Sequence, residues 1–220
     1  MPVSAERLSA WHFAPGALER LLPPGVRATV ESHAGIAEGS RATIVLRKGP
    51  FRSAWTAVHR EVIPGERFTD EIEKGPFPRW KHVHRFLPEG PTASRLEDHL
   101  EYEPPGGRIG SALLGRWVRS QLRQTFDFRH RRTANDLRRH AECVTAEPLR
   151  VAVSGASGLV GSALVPFLTT GGHQVRKMVR TTAPHAESRF DIAWDPSAKK
   201  IDANALEGLD AVVHLAGAGI

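Results

Sequence analysis

Three glycines at regular spacing are the clearest chemical signal in this 220-residue sequence. Gly155, Gly158 and Gly161 follow a β-rich run at residues 149–153 and precede a helical apolar pattern, after which residues 174–179 are again β-rich. In a unit of strand, glycine turn, helix and parallel strand, backbone N–H groups and the positive end of the helix meet at the turn, where they can hold a pyrophosphate. The spacing therefore predicts a dinucleotide site.

The spacing Gly-x-x-Gly-x-x-Gly differs from the Gly-x-Gly-x-x-Gly pattern of the commonest dehydrogenases. A tight strand-to-helix turn that binds nothing is the alternative interpretation. We favour the nucleotide site because a bare turn does not need three positions without a Cβ atom. In this interpretation Gly155 lets the chain leave the strand, Gly158 lets the backbone approach phosphate oxygens, and Gly161 lets the helix pack closely on the sheet.

The residue that ends the second β-rich run predicts which nicotinamide dinucleotide is preferred. An NAD site has an acidic side chain there, which accepts hydrogen bonds from the ribose hydroxyls. This chain has Arg180 instead, with Arg176 and Lys177 nearby. Because a guanidinium suits a 2′-phosphate, to which Ser157 could also donate, we expect NADP, with NAD as the alternative. A solvated loop cation is the other interpretation of Arg180.

A second group of polar residues lies on two predicted strands, residues 79–87 and 94–103. Side chains alternate along a strand, and on each of these strands the aromatic and apolar positions share the face that should point inward. We expect this face to line a ligand cavity. Its members are Trp80, His82, His84, Phe86, Asp98 and Tyr102.

Three interpretations are open for His82, His84 and Asp98. The imidazoles can be buried and satisfied by one another and by Asp98, or they can be polar anchors for a small amphipathic ligand. The third interpretation is a metal site, since the i, i+2 spacing places both rings on one strand face, although no fourth ligand is evident. The first two are favoured, so no metal site is predicted.

The composition is that of an ordinary globular protein with a core in each half: 40% of residues are hydrophobic and 25% are charged, with a net charge of +6. A single cysteine, Cys143, excludes an internal disulfide and fits a cytoplasmic location. We see neither a secretion signal nor a membrane span, and expect no membrane partner. The basic residues of segment 108–140 favour a solvated helix face over nucleic-acid binding, because no nucleic-acid motif accompanies them.

The order of predicted elements divides the chain at residues 141–148. Before this linker we expect two short helices, a six-stranded antiparallel meander and a long helix with Leu114, Val118, Leu122 and Phe126 on one stripe. Such a helix must lie across the curved sheet to bury its stripe, which encloses a cavity. The predicted ranges are 4–12, 16–22, 26–31, 41–47, 52–63, 67–73, 79–87, 94–103 and 109–140. Behind the linker we expect strands at 149–153, 174–179, 190–194 and 211–215, a helix at 159–170 and a helical stub at 205–209.

With this element order and the phrases PGALERLLPP, PFPRWKHVHRF and RLEDHLEYEPPGG, residues 1–140 resemble the START-like, or polyketide-cyclase-like, helix-grip domains. The resemblance implies an α+β fold around a pocket for a hydrophobic ligand. Such domains usually begin with a strand before the first short helices. We therefore expect an N-terminal strand to be missing from this sequence.

Residues 149–220 resemble the extended or atypical short-chain dehydrogenase/reductase family, in its sugar-nucleotide epimerase-like branch, whose members can carry a START-like domain in front. The resemblance rests on SGASGLVG, Arg180, Trp-Asp-Pro at 194–196 and VVHLAG at 212–217. It implies a partial α/β Rossmann domain with four parallel strands in the order 3-2-1-4. It also implies cofactor contacts at Gly155, Ser157, Gly158, Leu159, Val160, Gly161, Arg180, Leu215, Ala216 and Gly217.

Catalysis in that family uses a Tyr-x-x-x-Lys pair on a helix after the fifth strand, and here the only tyrosine is Tyr102. We therefore assign no catalytic residue and expect a fragment, truncated at both ends, of an NADP-dependent reductase or epimerase-like enzyme, inactive by itself. The alternative is a non-catalytic protein that binds a lipid or polyketide-like ligand and senses nucleotide. A small-molecule substrate or hydrophobic ligand is the partner in both cases, and the oligomeric state is not predicted.

Overall fold

The computed structural model describes residues 1–104, 106–143, 147–180 and 191–217. They form two compact units, Met1–Glu142 and Cys143–Ile220, each with its own sheet. Residues 144–146 of the predicted linker and residue 190 of a predicted strand lie outside these ranges. Among the residues described, no helix is both long and apolar enough to cross a bilayer.

The first unit follows the predicted order of helices and strands. Two helices come first, and Ser4 caps the first of them by accepting a hydrogen bond from the Arg7 N–H. Six strands and one 36-residue helix follow. The elements are α1 Ala5–Phe13, α2 Ala17–Arg20, β1 Arg27–His33, β2 Arg41–Lys48, β3 Phe51–Ile63, β4 Arg67–Lys74, β5 Arg79–Gly90, β6 Ala93–Glu103 and α3 Gly107–Glu142.

The six strands form an antiparallel meander in chain order, as predicted. In the pairing of β3 with β4, the register shifts between Arg60 and Ile63, and Glu61 adopts a positive φ of 50°. Such bulges bend a strand and increase its twist. The sheet can therefore curve around the helices that it faces.

Helix α1 supplies the centre of the main apolar cluster of this unit. Leu8 and Trp11 are fully buried, in a cluster that also holds Phe68 of β4, Phe86 of β5 and Leu137 of α3. The apolar stripe predicted for α3 is only partly buried, because Val118 is buried whereas Leu114 is 46% exposed. Leu114 lies in the early turns of the helix, before the segment around Leu122 and Phe126 that faces the interior of the unit.

The second unit is a sheet of five strands with one helix, α4, described beside it. Its strands lie in the order β10-β9-β8-β7-β11, and the last four are mutually parallel. The prediction of four strands omitted β10, a two-residue antiparallel edge strand too short to give a sequence pattern. The elements are β7 Arg150–Ser154, α4 Gly161–Thr170, β8 Gln174–Arg180, β9 Ile192–Asp195, β10 Lys200–Ile201, β11 Ala211–His214 and a 3-10 turn at Asn204–Leu206.

Candidate functional site

The glycine turn joins the end of β7 to the start of α4. Gly155 has a φ of +64°, and a Cβ atom at this position would lie 2.8 Å from the backbone nitrogen of Ala216. A Cβ atom at Gly161 would lie 2.2 Å from the carbonyl oxygen of Gly155. Both distances are shorter than any real contact of a side chain with backbone. The close approach of the turn, the helix and the segment after β11 therefore requires glycine at both positions.

Gly158 is less crowded by the protein. Its N–H donates to the Gly155 carbonyl at 3.0 Å, and an added Cβ atom would lie 3.2 Å from that same oxygen. The turn itself therefore explains two of the three glycines. Gly158 is not required by the turn itself, and it leaves a stretch of bare backbone that a ligand can approach.

The N-terminus of α4 lies at this turn and has no side-chain cap. The residues just before it are solvent-accessible: Ser157 is exposed, and Leu159 is 92% exposed. The first N–H groups of a helix have no partner within the helix, and its dipole attracts negative charge. An anion such as a phosphate group fits this position chemically.

Ser154 ties the turn to the segment after β11, a role that the sequence did not indicate. Its Oγ accepts hydrogen bonds from the N–H groups of Leu215 at 3.0 Å and Ala216 at 3.2 Å, and lies 2.7 Å from His214 Nδ1. The predicted cofactor residues Leu215 and Ala216 are thus held against Gly155. The one hint in the sequence was a small hydroxyl residue, Ser154, at the end of a predicted parallel strand.

Arg180 ends β8 and is exposed. The strand register pairs Ser154 with Met178, so Arg180 lies two residues beyond the end of β7 along the neighbouring strand. The carboxyl ends of parallel strands meet at one edge of the sheet. Arg180 is therefore at the same edge as the glycine turn, and residues 181–190, which follow it, lie outside the described part of the chain.

The first unit contains a partly open cavity of about 290 Å³ between its sheet and the helices α2 and α3. Its lining is mostly apolar and includes Trp55 and Trp80, whose rings meet edge to face at 4.7 Å. Of the six predicted lining residues, Trp80, His82 and His84 do line it. The other three lie elsewhere, and each has a structural reason to do so.

Phe86 is buried in the cluster beneath α1, because β5 continues past the cavity toward that helix. Tyr102 packs against the rings of Phe77 and Trp80 near the far end of β6. Asp98 lies behind the histidines, where it bonds to His82 and to His130 of α3. The predicted shared face is therefore real, but only its central part reaches the cavity.

Two partly buried carboxylates contact the histidines. The Asp98 Oδ1 atom lies 2.9 Å from His82 Nε2 and 2.9 Å from His84 Nδ1, the second contact being an ion pair without hydrogen-bond alignment. On the other side of the rings, Asp70 Oδ2 lies 3.3 Å from His84 Nε2. Asp70 Oδ1 lies 2.7 Å from His59 Nδ1.

The sequence prediction missed Asp70, His59 and His130. Asp70 alternates with the buried Phe68 on β4, and His59 alternates with Ala57 on β3, so the same period-2 pattern could have indicated both. Their meeting with His84 depends on strand register, which local patterns do not provide. His130 comes from α3, whose placement over the sheet is a tertiary property.

The charge states in this cluster differ sharply between neighbours. Burial lowers the pKa of His82 to about 4 against the opposing influence of Asp98, and burial also lowers the pKa of His12 to about 4. Burial acts in the same direction on His84, but Asp98 and Asp70 outweigh it and raise its pKa to about 9. One charged imidazole therefore lies between two carboxylates at neutral pH.

The two carboxylates remain ionised despite their environment. Burial opposes the charge on Asp70, but hydrogen bonds from His59 and His84 hold its pKa well below the usual range. Burial likewise opposes the charge on Asp98, and the charge of His84 with hydrogen bonds from His130 and His82 holds its pKa far below the usual range. An ionic cluster thus lies at one wall of a largely apolar cavity.

Comparison with known proteins gives a separate result for each unit. Residues 12–129 match the family model described as polyketide cyclase / dehydrase and lipid transport. Residues 151–220 match the model of the NAD dependent epimerase/dehydratase family.

Over 70 residues the chain is 39% identical to an epimerase family protein of Mycobacterium leprae and 40% identical to one of Mycobacterium bovis. These matches cover 32% of this chain and 22% of each relative. The crystal structure of a nucleoside-diphosphate sugar epimerase from Corynebacterium glutamicum is similar with a TM-score of 0.73 and 30% identity. It matches 99% of this chain, which spans 44% of that protein.

Proposed function

We propose that this chain, which belongs to the polyketide cyclase / dehydrase and lipid transport family through residues 12–129, combines a hydrophobic-ligand cavity with a nicotinamide-dinucleotide site. The dinucleotide site would lie in residues 151–220, which match the epimerase/dehydratase family. In this proposal, residues 1–140 are a START-like ligand-binding domain and residues 149–220 are the first half of a Rossmann domain of the short-chain dehydrogenase/reductase type. The segment 141–148 links them.

The glycine turn carries the dinucleotide part of the proposal. Bare backbone at Gly158 and the uncapped start of α4 would hold the pyrophosphate. Ser157, Leu159, Val160 and Gly161 would contact the cofactor from the same turn, and Leu215, Ala216 and Gly217 from the segment after β11. The bound dinucleotide would supply hydride chemistry, while these residues bind and orient its adenosine half.

Substituting Gly158 tests this assignment. An aspartate at this position would place a carboxylate beside the proposed pyrophosphate site, and like charges about 4 Å apart near a protein surface repel by about 4 kcal/mol. We expect Gly158→Asp to weaken NADPH binding more than 100-fold, measured by fluorescence titration. Gly158→Ala adds the Cβ atom without the charge and should have a smaller effect. Unchanged NADPH affinity in a folded Gly158→Asp protein would contradict the proposal.

Arg180 supports NADP over NAD, because a guanidinium pairs with a 2′-phosphate. We expect Arg180→Glu to lower the ratio of NADPH affinity to NADH affinity at least about tenfold. Lys177→Glu is the matched control: it makes the same charge change on β8, but at a position whose side chain points to the opposite face of the strand. An equal shift in both variants would mean that net charge, not a phosphate contact, sets the preference.

The first unit supports the ligand-binding part of the proposal. Its cavity has the combination typical of small-molecule sites, an apolar lining with a few polar groups at one wall. The chain's only tyrosine, Tyr102, lies in this unit, so we assign no acid–base residue of the epimerase type to the second unit.

The cavity also favours a second candidate function, in which the protein carries a lipid or polyketide-like ligand and the nucleotide only regulates its release. Ligand-dependent oxidation of NADPH would distinguish an enzyme from this carrier. A carrier would instead show coupled affinities for the two ligands without turnover.

A further inference from the structure

Two imidazoles and a carboxylate converge at the wall of the cavity. One possible ligand atom from each of Asp70, His82 and His84 lies within 4.8 Å of the other two. Asp70 Oδ2 is 3.3 Å from His84 Nε2 and 4.0 Å from His82 Nδ1. In a tetrahedral site with metal–ligand bonds of about 2.0–2.1 Å, neighbouring ligand atoms are about 3.3–3.4 Å apart. The first distance already matches this spacing, and the second requires a shift of less than about 1 Å.

The second nitrogen of each ring faces the same carboxylate, and for His82 this contact is a hydrogen bond. His82 Nε2 and His84 Nδ1 both lie 2.9 Å from Asp98 Oδ1. A histidine that binds a metal ordinarily directs its other nitrogen to a carboxylate or carbonyl, which fixes the ring and its tautomer. Asp98 therefore leaves His82 Nδ1 and His84 Nε2 facing Asp70. His59 orients Asp70 in turn, through the 2.7 Å contact with its other oxygen.

The group is also accessible from the cavity. Asp70, His82 and His84 all contribute to its lining, and the Asp70 side chain retains 22% of its exposure. A metal bound by three protein ligands keeps positions for water or a ligand oxygen, as catalytic zinc sites do. Those positions would face the apolar chamber.

We propose that Asp70, His82 and His84 bind one divalent first-row transition metal ion, with its open coordination positions directed into the cavity. Two nitrogens and one carboxylate oxygen suit Zn²⁺, Co²⁺ or Fe²⁺, whereas Ca²⁺ and Mg²⁺ prefer sites built from oxygen. The ion takes the place of the proton that His84 otherwise holds at neutral pH, since a metal-binding imidazole must be neutral. Asp98 and His59 are positioning residues. The sequence pattern placed Asp98 in a third ligand position, but the geometry gives this position to Asp70. The inference does not depend on the dinucleotide site.

Titration of the chelator-treated 220-residue protein with Co²⁺ tests the proposal. We expect one ion per chain, visible absorption bands of a low-symmetry site, and loss of these bands when Zn²⁺ displaces Co²⁺. Asp70→Asn keeps the shape of the side chain and should lower Co²⁺ affinity more than about 100-fold. Asp98→Asn should lower it about 10- to 100-fold, as expected for a residue that orients ligands. His99→Gln removes an exposed histidine from the same sheet and should have no effect.

A measurement on the unaltered protein covers the case in which a buried variant does not fold. In the histidine-labelled chain, Zn²⁺ should shift the ring nitrogen signals of His82 and His84 in NMR spectra. The proposal is overturned if Co²⁺ keeps the spectrum of the hydrated ion, if a folded Asp70→Asn protein retains its affinity, or if the NMR shifts are confined to other histidines such as His99 and His173.

Discussion

The buried ion pair between Arg20 and Asp136 makes the sharpest prediction about stability. Arg20 Nε and one terminal nitrogen each donate to a separate oxygen of Asp136 at 2.7 Å, and the two side chains are only 10% and 4% exposed. The pair joins α2 to the C-terminal half of α3. Because both helices contribute lining residues, it also holds the cover of the cavity in place.

Asp136→Ala removes both charge-assisted hydrogen bonds, each worth about 1.5 to 3 kcal/mol. A Coulomb estimate at an effective dielectric of about 20 gives about 4 kcal/mol for charges about 4 Å apart. Both routes agree with the loss of about 3 to 5 kcal/mol that is typical when one member of a buried pair is removed. We therefore expect the free energy of unfolding of the first unit to fall by about 3 to 5 kcal/mol.

Urea unfolding, followed by circular dichroism and tryptophan fluorescence, measures this loss. Glu97→Ala is the control, because its 2.8 Å pair with Arg85 joins side chains that are 41% and 47% exposed, and it should cost less than about 1 kcal/mol. The double variant Arg20→Met, Asp136→Leu should recover most of the stability, since it leaves no buried charge. If Asp136→Ala costs no more than Glu97→Ala, the reasoning from burial is wrong.

Two further predictions concern packing. Ala57→Leu adds three carbon atoms to the cavity wall. We expect urea unfolding to show about 2 kcal/mol of added stability, and an anilinonaphthalene dye to bind more weakly. Destabilisation with unchanged dye binding would contradict the presence of an open cavity at this wall. Gly161→Ala should destabilise the second unit by about 2 kcal/mol or more in calorimetry, because its Cβ atom would meet backbone at 2.2 Å. Gly172→Ala is its control: the new Cβ atom meets nothing within 4 Å, and the strain of a +92° φ should cost only about 1 to 2 kcal/mol.

Local sequence patterns were sufficient to predict those features of the structure that depend on only a few neighbouring residues. The alternation on β5 predicted that Trp80, His82 and His84 share a buried face, because a half-buried strand has a period of two residues. The position of Gly155 between a β-rich run and a helical pattern predicted that the chain turns off the strand there, which agrees with its φ of +64°. Both follow from rules that span only a few residues.

The remaining features depend on contacts between distant parts of the chain. Asp70 reaches His84 only because β4 and β5 pair in one particular register. The exposure of Leu114 depends on where α3 crosses its unit, and the bonds of Ser154 depend on the path of the chain after β11. Strand β10 has only two residues, so it carries no periodic pattern at all.

The tryptophan pair at the cavity wall has a practical consequence. Two indoles that meet edge to face at 4.7 Å couple their electronic transitions, so Trp55 and Trp80 should produce an exciton band in the circular dichroism spectrum. A guest molecule that enters the chamber must alter the angle or separation of these rings, or their surroundings. The circular dichroism of this tryptophan pair should therefore report whether the cavity is occupied, so unlabelled compounds can be screened directly.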